Sequence, residues 1–538
     1  MKNRLLHAFF VSVITSVSAS AQPVIQSQKT IGGKLDDNFY TMACTKDGGY
    51  VVGGSSKSGI SGEKTESNRG IDPTTPDYWL VKLNRAGEIE WDKTIGGSDW
   101  DELLSVQQTR DGGYILGGNS SSPKSGEKTQ NSRRGSLDYW VVKLDSSGNI
   151  EWDRTFGGFD EDLLSRVKQT RDGGYILGGR SLSNASGEKT ENGRGDYDFW
   201  IVKIDRKGNK QWDKTIGGDD FEFFTCLDQT SDGGYIVGGT SSSGMSGDKT
   251  EASRGRDDCW IIKLDMNGNI EKDKTIGGSK DDELNDLQQT ADGGYILGAS
   301  SFSNISGEKS QRSRGGYDYW IVKLDKEWNK RWDRAIGGDL NDFMRDIVQT
   351  EDRGYALCGY SVSNASGEKT EPSRGVDDYW FVKVDSRGNF QWDKTIGGAD
   401  HDFAGGVLSV SNNKFIIGGY SYSGISGDKT EPSRGGTDFW VVTVKNKVVK
   451  ATSGISNNVI SLKAPATQFS IYPNPVKDVI HIKANGINHF ALYDESGKML
   501  LSKLIRIEGE MNVSNLPAGT YYLKNNSTTD VQKIIIIK

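Results

Sequence analysis
Seven acids recur at one fixed offset along this 538-residue chain. Each stands four positions after the second glycine of an IGG or FGG element: Asp37, Asp101, Asp162, Glu222, Asp282, Asp342 and Asp402. Converging carboxylates are hard oxygen donors that could coordinate calcium or hydrogen-bond the hydroxyls of a glycan. An acid beside a Gly-Gly pair also has a plainer use, accepting backbone N–H bonds in its own turn, and a role repeated in every unit favours that use. The 4 His and 4 Cys are too few and too scattered for a multi-metal site. Calcium loops of the D-x-D-x-D-G kind are absent. No metal site is therefore assigned, and no cofactor beyond the calcium option.

The second recurring feature is a loop of the form SxSxxSGEKTExSRGxxD, about 18 residues long. Its Glu, Lys, Glu and Arg are expected to pair within and between neighbouring loops as an exposed charged crown, each pair contributing about 0 to 1 kcal/mol. One loop position varies strongly: Lys57, Ser121, Leu182, Ser242, Phe302, Val362 and Tyr422. Leu182, Phe302, Val362 and Tyr422 are candidates for an apolar or sugar-stacking patch, with ordinary loop packing as the alternative. Catalysis finds little support. The repeats hold one histidine, His401, with no Ser or Cys motif of nucleophile type beside it. Glycoside hydrolysis needs two acids about 5 to 10 Å apart. No pair that departs from its repeat equivalents stands out.

These residues must be positioned by seven copies of one element. The Trp of D-aromatic-Trp falls at Trp79, Trp140, Trp200, Trp260, Trp320, Trp380 and Trp440, a spacing of 61 once and then 60. Each unit reads as four short strands; in the second unit, Asp111-Gly112-Gly113 turns the first hairpin and the apolar residues Trp140, Val142 and Leu144 alternate along the third strand. One four-stranded sheet cannot bury both faces alone, so units must stack as a solenoid or close as a ring. The N-terminal PVIQSQKT aligns with the fourth strand IEWDKT, and the last unit stops at DFWVVTV without a fourth strand. The spacing and this complementarity predict an all-β, seven-bladed β-propeller over 22–445, its N-terminal strand closing the last blade. Trp328 and Arg353, standing where other units have glycine, are expected to mark relaxed local turns. Cys259 and Cys358 are expected as separate buried thiols.

Composition agrees with this architecture and narrows the partners. Gly makes up 69 residues and Trp 14, against 26% charged residues. Residues 22–440 carry a net charge of −15, the wrong sign for nucleic acid or an anionic membrane. Residues 1–21 have basic Lys2 and Arg4, a short apolar run and small residues ending at Ala21, the pattern of a cleaved secretion signal. No later segment is apolar enough to span a bilayer as a helix.

Past Trp440 the composition turns Lys-, Ser- and Asn-rich, a linker over 446–467, and 468–538 reads as a small β-rich module with the strand pattern of an Ig-like β-sandwich. Its motifs are Tyr472-Pro473-Asn474-Pro475, Leu492-Tyr493-Asp494, Leu516-Pro517-Ala518-Gly519-Thr520-Tyr521-Tyr522 and a terminal run ending at Lys538. In this order they resemble the type A C-terminal sorting domain of type IX secretion substrates in Bacteroidetes. The resemblance implies export through the outer membrane, recognition of the tail by the secretion machinery, and surface attachment or release. The repeats are similar in layout to WD-type and kelch-type propellers, without the Gly-His element of the WD repeat. The functional expectation is a secreted or cell-surface, non-catalytic binding or adhesion scaffold whose partner is a glycan or surface protein. The alternative is a polysaccharide-active or redox enzyme using the channel mouth.

Overall fold
The computed structural model describes residues 23–446, apart from 71, 73 and 412, and residues 469–538, apart from 495–497 and 526–530. The expected signal segment with Ala21, and all of the expected linker but Asn446, lie outside these residues. The chain divides into two compact units, one ending at Lys450 and one starting at Ala451.

In the larger unit the first strands are Val24–Ile31 (β1), Asp37–Cys44 (β2), Tyr50–Ser56 (β3), Asp77–Leu83 (β4) and Ile89–Ile95 (β5). Strands β2 to β5 form blade 1, an antiparallel sheet in chain order, and the pattern repeats through blade 6. Blade 7 supplies only Asp402–Ser411, Lys414–Ser421 and Asp438–Lys445, and β1 pairs with the last of these as its fourth strand. Thr30 lies opposite Trp440 and Ile31 opposite Phe439. Closure also reproduces side-chain chemistry. In blades 1 to 6 the Trp indole donates to an outer-strand Asp, as Trp79 does to Asp92 at 3.0 Å, whereas Trp440 donates to Gln28 of β1 at 3.0 Å. The first strand of each blade touches that of the next, and blade 7 touches blade 1, so seven blades ring a central channel.

Every residue of β3 and β4 is buried, as a sheet covered on both faces requires. Adjacent blades interlock through the aromatic before each Trp: the Tyr78 hydroxyl donates to the Trp140 carbonyl at 3.0 Å while the two rings pack 4.8 Å apart. In blade 4 this position is Cys259, which is a buried free thiol, as are Cys226 and Cys358.

The Asp-Gly-Gly hairpin divides its work between its glycines. Gly48 takes φ +84, whereas Gly49 has ordinary φ but a Cβ there would lie 2.3 Å from the Leu83 carbonyl oxygen. Arg353 therefore replaces the first glycine by adopting φ 63, while Gly354, packed against Val384 O and Lys383 Nζ, is retained. Trp328, also at positive φ, has a specific cause. In blades 2, 3, 4 and 6 the equivalent turn glycine abuts a Trp of the preceding outer strand, as Gly268 does Trp212. Blade 4 carries Lys272 where that Trp would be. Trp328 of blade 5 fills the space, buried edge-on against Tyr295, with the Lys272 ammonium 5.0 Å above its ring.

In the C-terminal unit all strands join one sheet. Val479–Tyr493 combines two segments expected as separate strands and pairs with Met499–Asn512 along one edge, and with Phe469–Tyr472 and then Gly519–Asn525 along the other. Val531–Ile536 follows Gly519–Asn525. The sheet wraps one apolar core that includes Phe469, Ile482, Phe490, Leu523 and Ile534. Its ends meet where Val476 bridges Ile536 in parallel, and Asn474 clasps the terminal strand by donating to Lys533 O at 2.8 Å and accepting from Ile535 N at 2.9 Å.

Candidate functional site
The recurring acids do not ring the channel mouth. Asp37, Asp101, Asp162, Glu222, Asp282, Asp342 and Asp402 all have zero exposure. Each accepts from the second IGG glycine, Asp37 from Gly33 N at 2.6 Å, and from a loop serine, here Ser58 at 3.1 Å. The acid is spent on the turn that delivers the chain into the first strand, and the calcium option loses the convergence it required. Burial pushes these carboxyls up, to about 6 for Asp37 and Asp101.

The charged crown is also rearranged. The Lys of every GEKT-type loop is buried: Lys64, Lys128, Lys189, Lys249, Lys309, Lys369 and Lys429 are at most 2% exposed. Lys64 lies 5.4 Å above the Trp79 ring and within the field of Asp37, Asp77 and Asp92, and burial pushes it down to about 8. The loop Arg remains outside and ties each blade to the next. Arg69 meets Glu127 at 2.9 Å, Arg254 meets Glu308 at 3.0 Å, and Arg434 of blade 7 closes the circle on Glu63 at 2.8 Å.

The open site is formed by positions at which the repeats disagree. Every first strand carries a β-bulge at its fourth residue, as between Phe39 and Thr41, or Met344 and Asp346. A bulge adds one unpaired residue and turns the strand locally, so two consecutive side chains can face the channel. The bulged residues Tyr40, Leu104, Ser165, Thr225, Asn285, Arg345 and Gly405 all line a mouth cavity of about 900 Å³.

Around blades 5 to 7 a continuous ribbon of rings runs past this mouth, and Tyr360, Phe403 and Tyr420 of it line the cavity. Phe302 stacks on Tyr317 at 5.4 Å, and the series continues through Phe343, Tyr360, Phe403 and Tyr420 at 4.8 to 5.3 Å, reaching Tyr422 at 6.4 Å. His401 lies parallel to Phe403 at 5.7 Å and its Nδ1 is 2.5 Å from Asp377 Oδ2. On the facing wall the Arg180 guanidinium lies 4.1 Å above the Phe223 ring and 5.3 Å above Tyr197. Polar groups punctuate the ribbon: Arg345 donates to the Tyr360 hydroxyl at 3.2 Å, and the Tyr317 hydroxyl reaches Glu283 at 3.2 Å and Asp281 at 3.3 Å. Burial raises the Glu283 carboxyl, and the Tyr317 phenol is raised by burial and then by those two acids.

Of the variable loop residues, Phe302 (37% exposed) and Tyr422 (47%) join the ribbon, whereas Leu182 stays on the rim and Val362 is half-buried, neither adding a ring. Two acids were missed. Asp286 and Asp346 stand one residue past the bulge, where other blades have Thr41, Ser105, Arg166, Cys226 and Gly406. They hydrogen-bond each other, and burial pushes both up, Asp346 to about 7 with help from the charge of Asp286. Their signal was a departure from the repeat within the strand nearest the axis. The carboxyls touch, so they do not have the separation of either glycoside-hydrolysis geometry. Among the described residues no group of three or more His, Cys, Asp or Glu is placed to hold a metal, and no helix is long and apolar enough to cross a membrane.

In the tail, Tyr472, Pro473, Asn474, Pro475, Gly519 and Lys538 are exposed. Tyr472 stacks on His481 at 5.1 Å, and Lys538 donates to Ser514 O at 2.9 Å.

The two units together define a seven-bladed propeller joined to a secretion signal domain. Residues 470–538 match the secretion system C-terminal sorting domain family, so this module is a type IX sorting domain, and the protein is exported by that route to the cell surface or beyond it. The chain is 22% identical over 532 residues to the regulatory protein FlaEY of Caulobacter vibrioides, with 92% of this chain covered; it spans about half (52%) of that relative's length. Similar solved structures include the Pan2 WD40 domain of Neurospora crassa, at 11% identity and TM-score 0.41, covering 78% of this chain and 97% of that one. Hydrazine synthase of Kuenenia stuttgartiensis has 10% identity and TM-score 0.42, covering 73% and 95%. YCF48 bound to D1 peptide has 11% identity and TM-score 0.39, covering 80% and 100%.

Proposed function
We propose that the exported propeller is a non-catalytic recognition module that binds a saccharide chain across its mouth. The observation that carries this reading is the ribbon from Phe302 to Tyr422, whose rings come from several different repeat positions and whose Tyr360, Phe403 and Tyr420 line a cavity of about 900 Å³. Sugar rings present apolar C–H faces to aromatic planes and hydroxyls to flanking acids and guanidinium groups, and Glu283, Asp257 and Arg345 stand at the same mouth. The secretion module supports this reading by placing the disc where polysaccharides and surface glycoproteins are met.

The test is a glycan array followed by calorimetry with the full-length mature protein. The double substitution Y360A/F403A is expected to weaken the best glycan by about 10- to 100-fold, since each aromatic contact contributes about 0.5–1.5 kcal/mol beyond its buried area. Failure of every polysaccharide to bind, or unchanged affinity in the double variant, would overturn the reading.

A further inference from the structure
Further along the same first strands lies a second cavity of about 270 Å³, and its charges are sorted by blade. Blade 3 contributes Arg166 and Lys168, blade 4 Asp228, and blade 5 Asp286 and Gln288. Asp346 of blade 6 hydrogen-bonds Asp286, so the two carboxyls form one acidic pair. This pair is held in place: Gln288 Nε2 donates to Asp286 at 3.0 Å and to Ile347 O at 2.6 Å, and Val407 N donates to Asp346 at 2.8 Å.

The cations and the acids face one another without contact. Arg166 and Lys168 both act electrostatically on Asp286, yet among the described residues no ion pair within 4.0 Å joins either cation to Asp286 or Asp228. Arg166 donates to the neighbouring Ser165 carbonyl at 3.1 Å. Two half-buried cations and the half-buried acids thus line one cavity with no ion pair between them, which leaves both signs of charge available to a solute. Repetition does not produce this arrangement, because the equivalent positions of blades 7, 1 and 2 carry Gly406, Leu408, Thr41, Ala43, Ser105 and Gln107, none of them charged.

We infer that this cavity binds a small zwitterion of the free α-amino acid class, its carboxylate on Arg166 and Lys168 and its ammonium between Asp228 and the Asp286–Asp346 pair. The guanidinium fork suits a carboxylate, and an ammonium group supplies the three donors that acids on two walls can accept. The volume lies just below that of drug-sized sites, which start near 300 Å³. Arg166 also borders the mouth, so the deeper site adjoins the opening through which a solute enters. Different residues carry this inference and the saccharide reading, and either can fail alone.

The experiment is calorimetry and thermal shift on the full-length mature protein with L-alanine, L-serine and L-glutamine. L-alanine methyl ester, which lacks the carboxylate, and N-acetyl-L-alanine, which lacks the ammonium, serve as controls. The free amino acids are expected to bind and raise the melting temperature, and each control to bind at least about tenfold more weakly, having lost one charge-assisted contact. R166Q and K168M are each expected to produce a similar loss, K168M guarding against a folding defect in the first, while Y360A at the mouth leaves the affinity unchanged. Absence of amino-acid binding up to about 10 mM, equal binding of the controls, or parental affinity in both R166Q and K168M would overturn the assignment.

Discussion
The loop frame and the channel wall are built from the same seven repeats and behave oppositely. In the frame, seven similar loops repeat one plan: a buried Lys, above a Trp in five blades, an acid capping the entry turn, an Arg bridging to the next blade. On the wall, the bulged position carries Tyr40, Leu104, Ser165, Thr225, Asn285, Arg345 and Gly405, so no two blades present the same group. Residues that recur hold the ring together, and residues that differ give the channel its chemistry. This is why the most regular acids in the sequence proved to be structural.

Four perturbations test that division. The largest effect is expected from K309M, which strips the counter-charge from buried Asp282 and Asp318. It should cost about 3–5 kcal/mol of stability in chemical denaturation, and K249M in blade 4 should cost the same within about 1 kcal/mol, because Lys249 donates to Ser241 and Ser253 as Lys309 does to Ser301 and Ser313. Unequal costs would break the comparison. W328G is expected to cost about 2–4 kcal/mol for the emptied space, less the relief of a positive φ. Adding K272W should recover most of it, a coupling that a double-mutant cycle reads directly. Failure of K272W to rescue would mean that Trp328 does not stand in for the missing outer-strand Trp.

A smaller effect, visible as a slope, is expected from D346N. Its carboxyl, raised from the ordinary 3.8 to about 7, binds its proton more tightly in the folded state. That contribution to stability is fully present below about pH 4 and is lost as pH rises through 7. D346N should therefore reduce the decline in stability between pH 4 and 8. Some decline remains, because frame acids such as Asp77, at about 7, act in the same direction. The smallest effect belongs to R434Q, which removes the partly exposed bridge closing the crown and should cost about 0–1 kcal/mol in thermal unfolding.

Much of this was legible because repetition amplifies weak signals. One hairpin motif is a modest indication, but the Trp spacing and the complementary ends over-determined a closed ring of seven. The orientation of the loop lysine was not legible: GEKT reads as a surface motif, and only packing reveals that its Lys lies above the Trp and between acids. By local sequence Trp328 marks only a relaxed turn, because the cause, Lys272, lies 56 residues earlier on a neighbouring blade.

The sequence by itself determined the blade count, the exchange of β1 into blade 7 and the sorting module, since each follows from local periodicity or a contiguous motif. Only the tertiary structure decided which residues face the axis. The bulge shifts the inward and outward alternation of each first strand by one residue, and ring closure brings together rings and charges that lie about 60 residues apart in the chain.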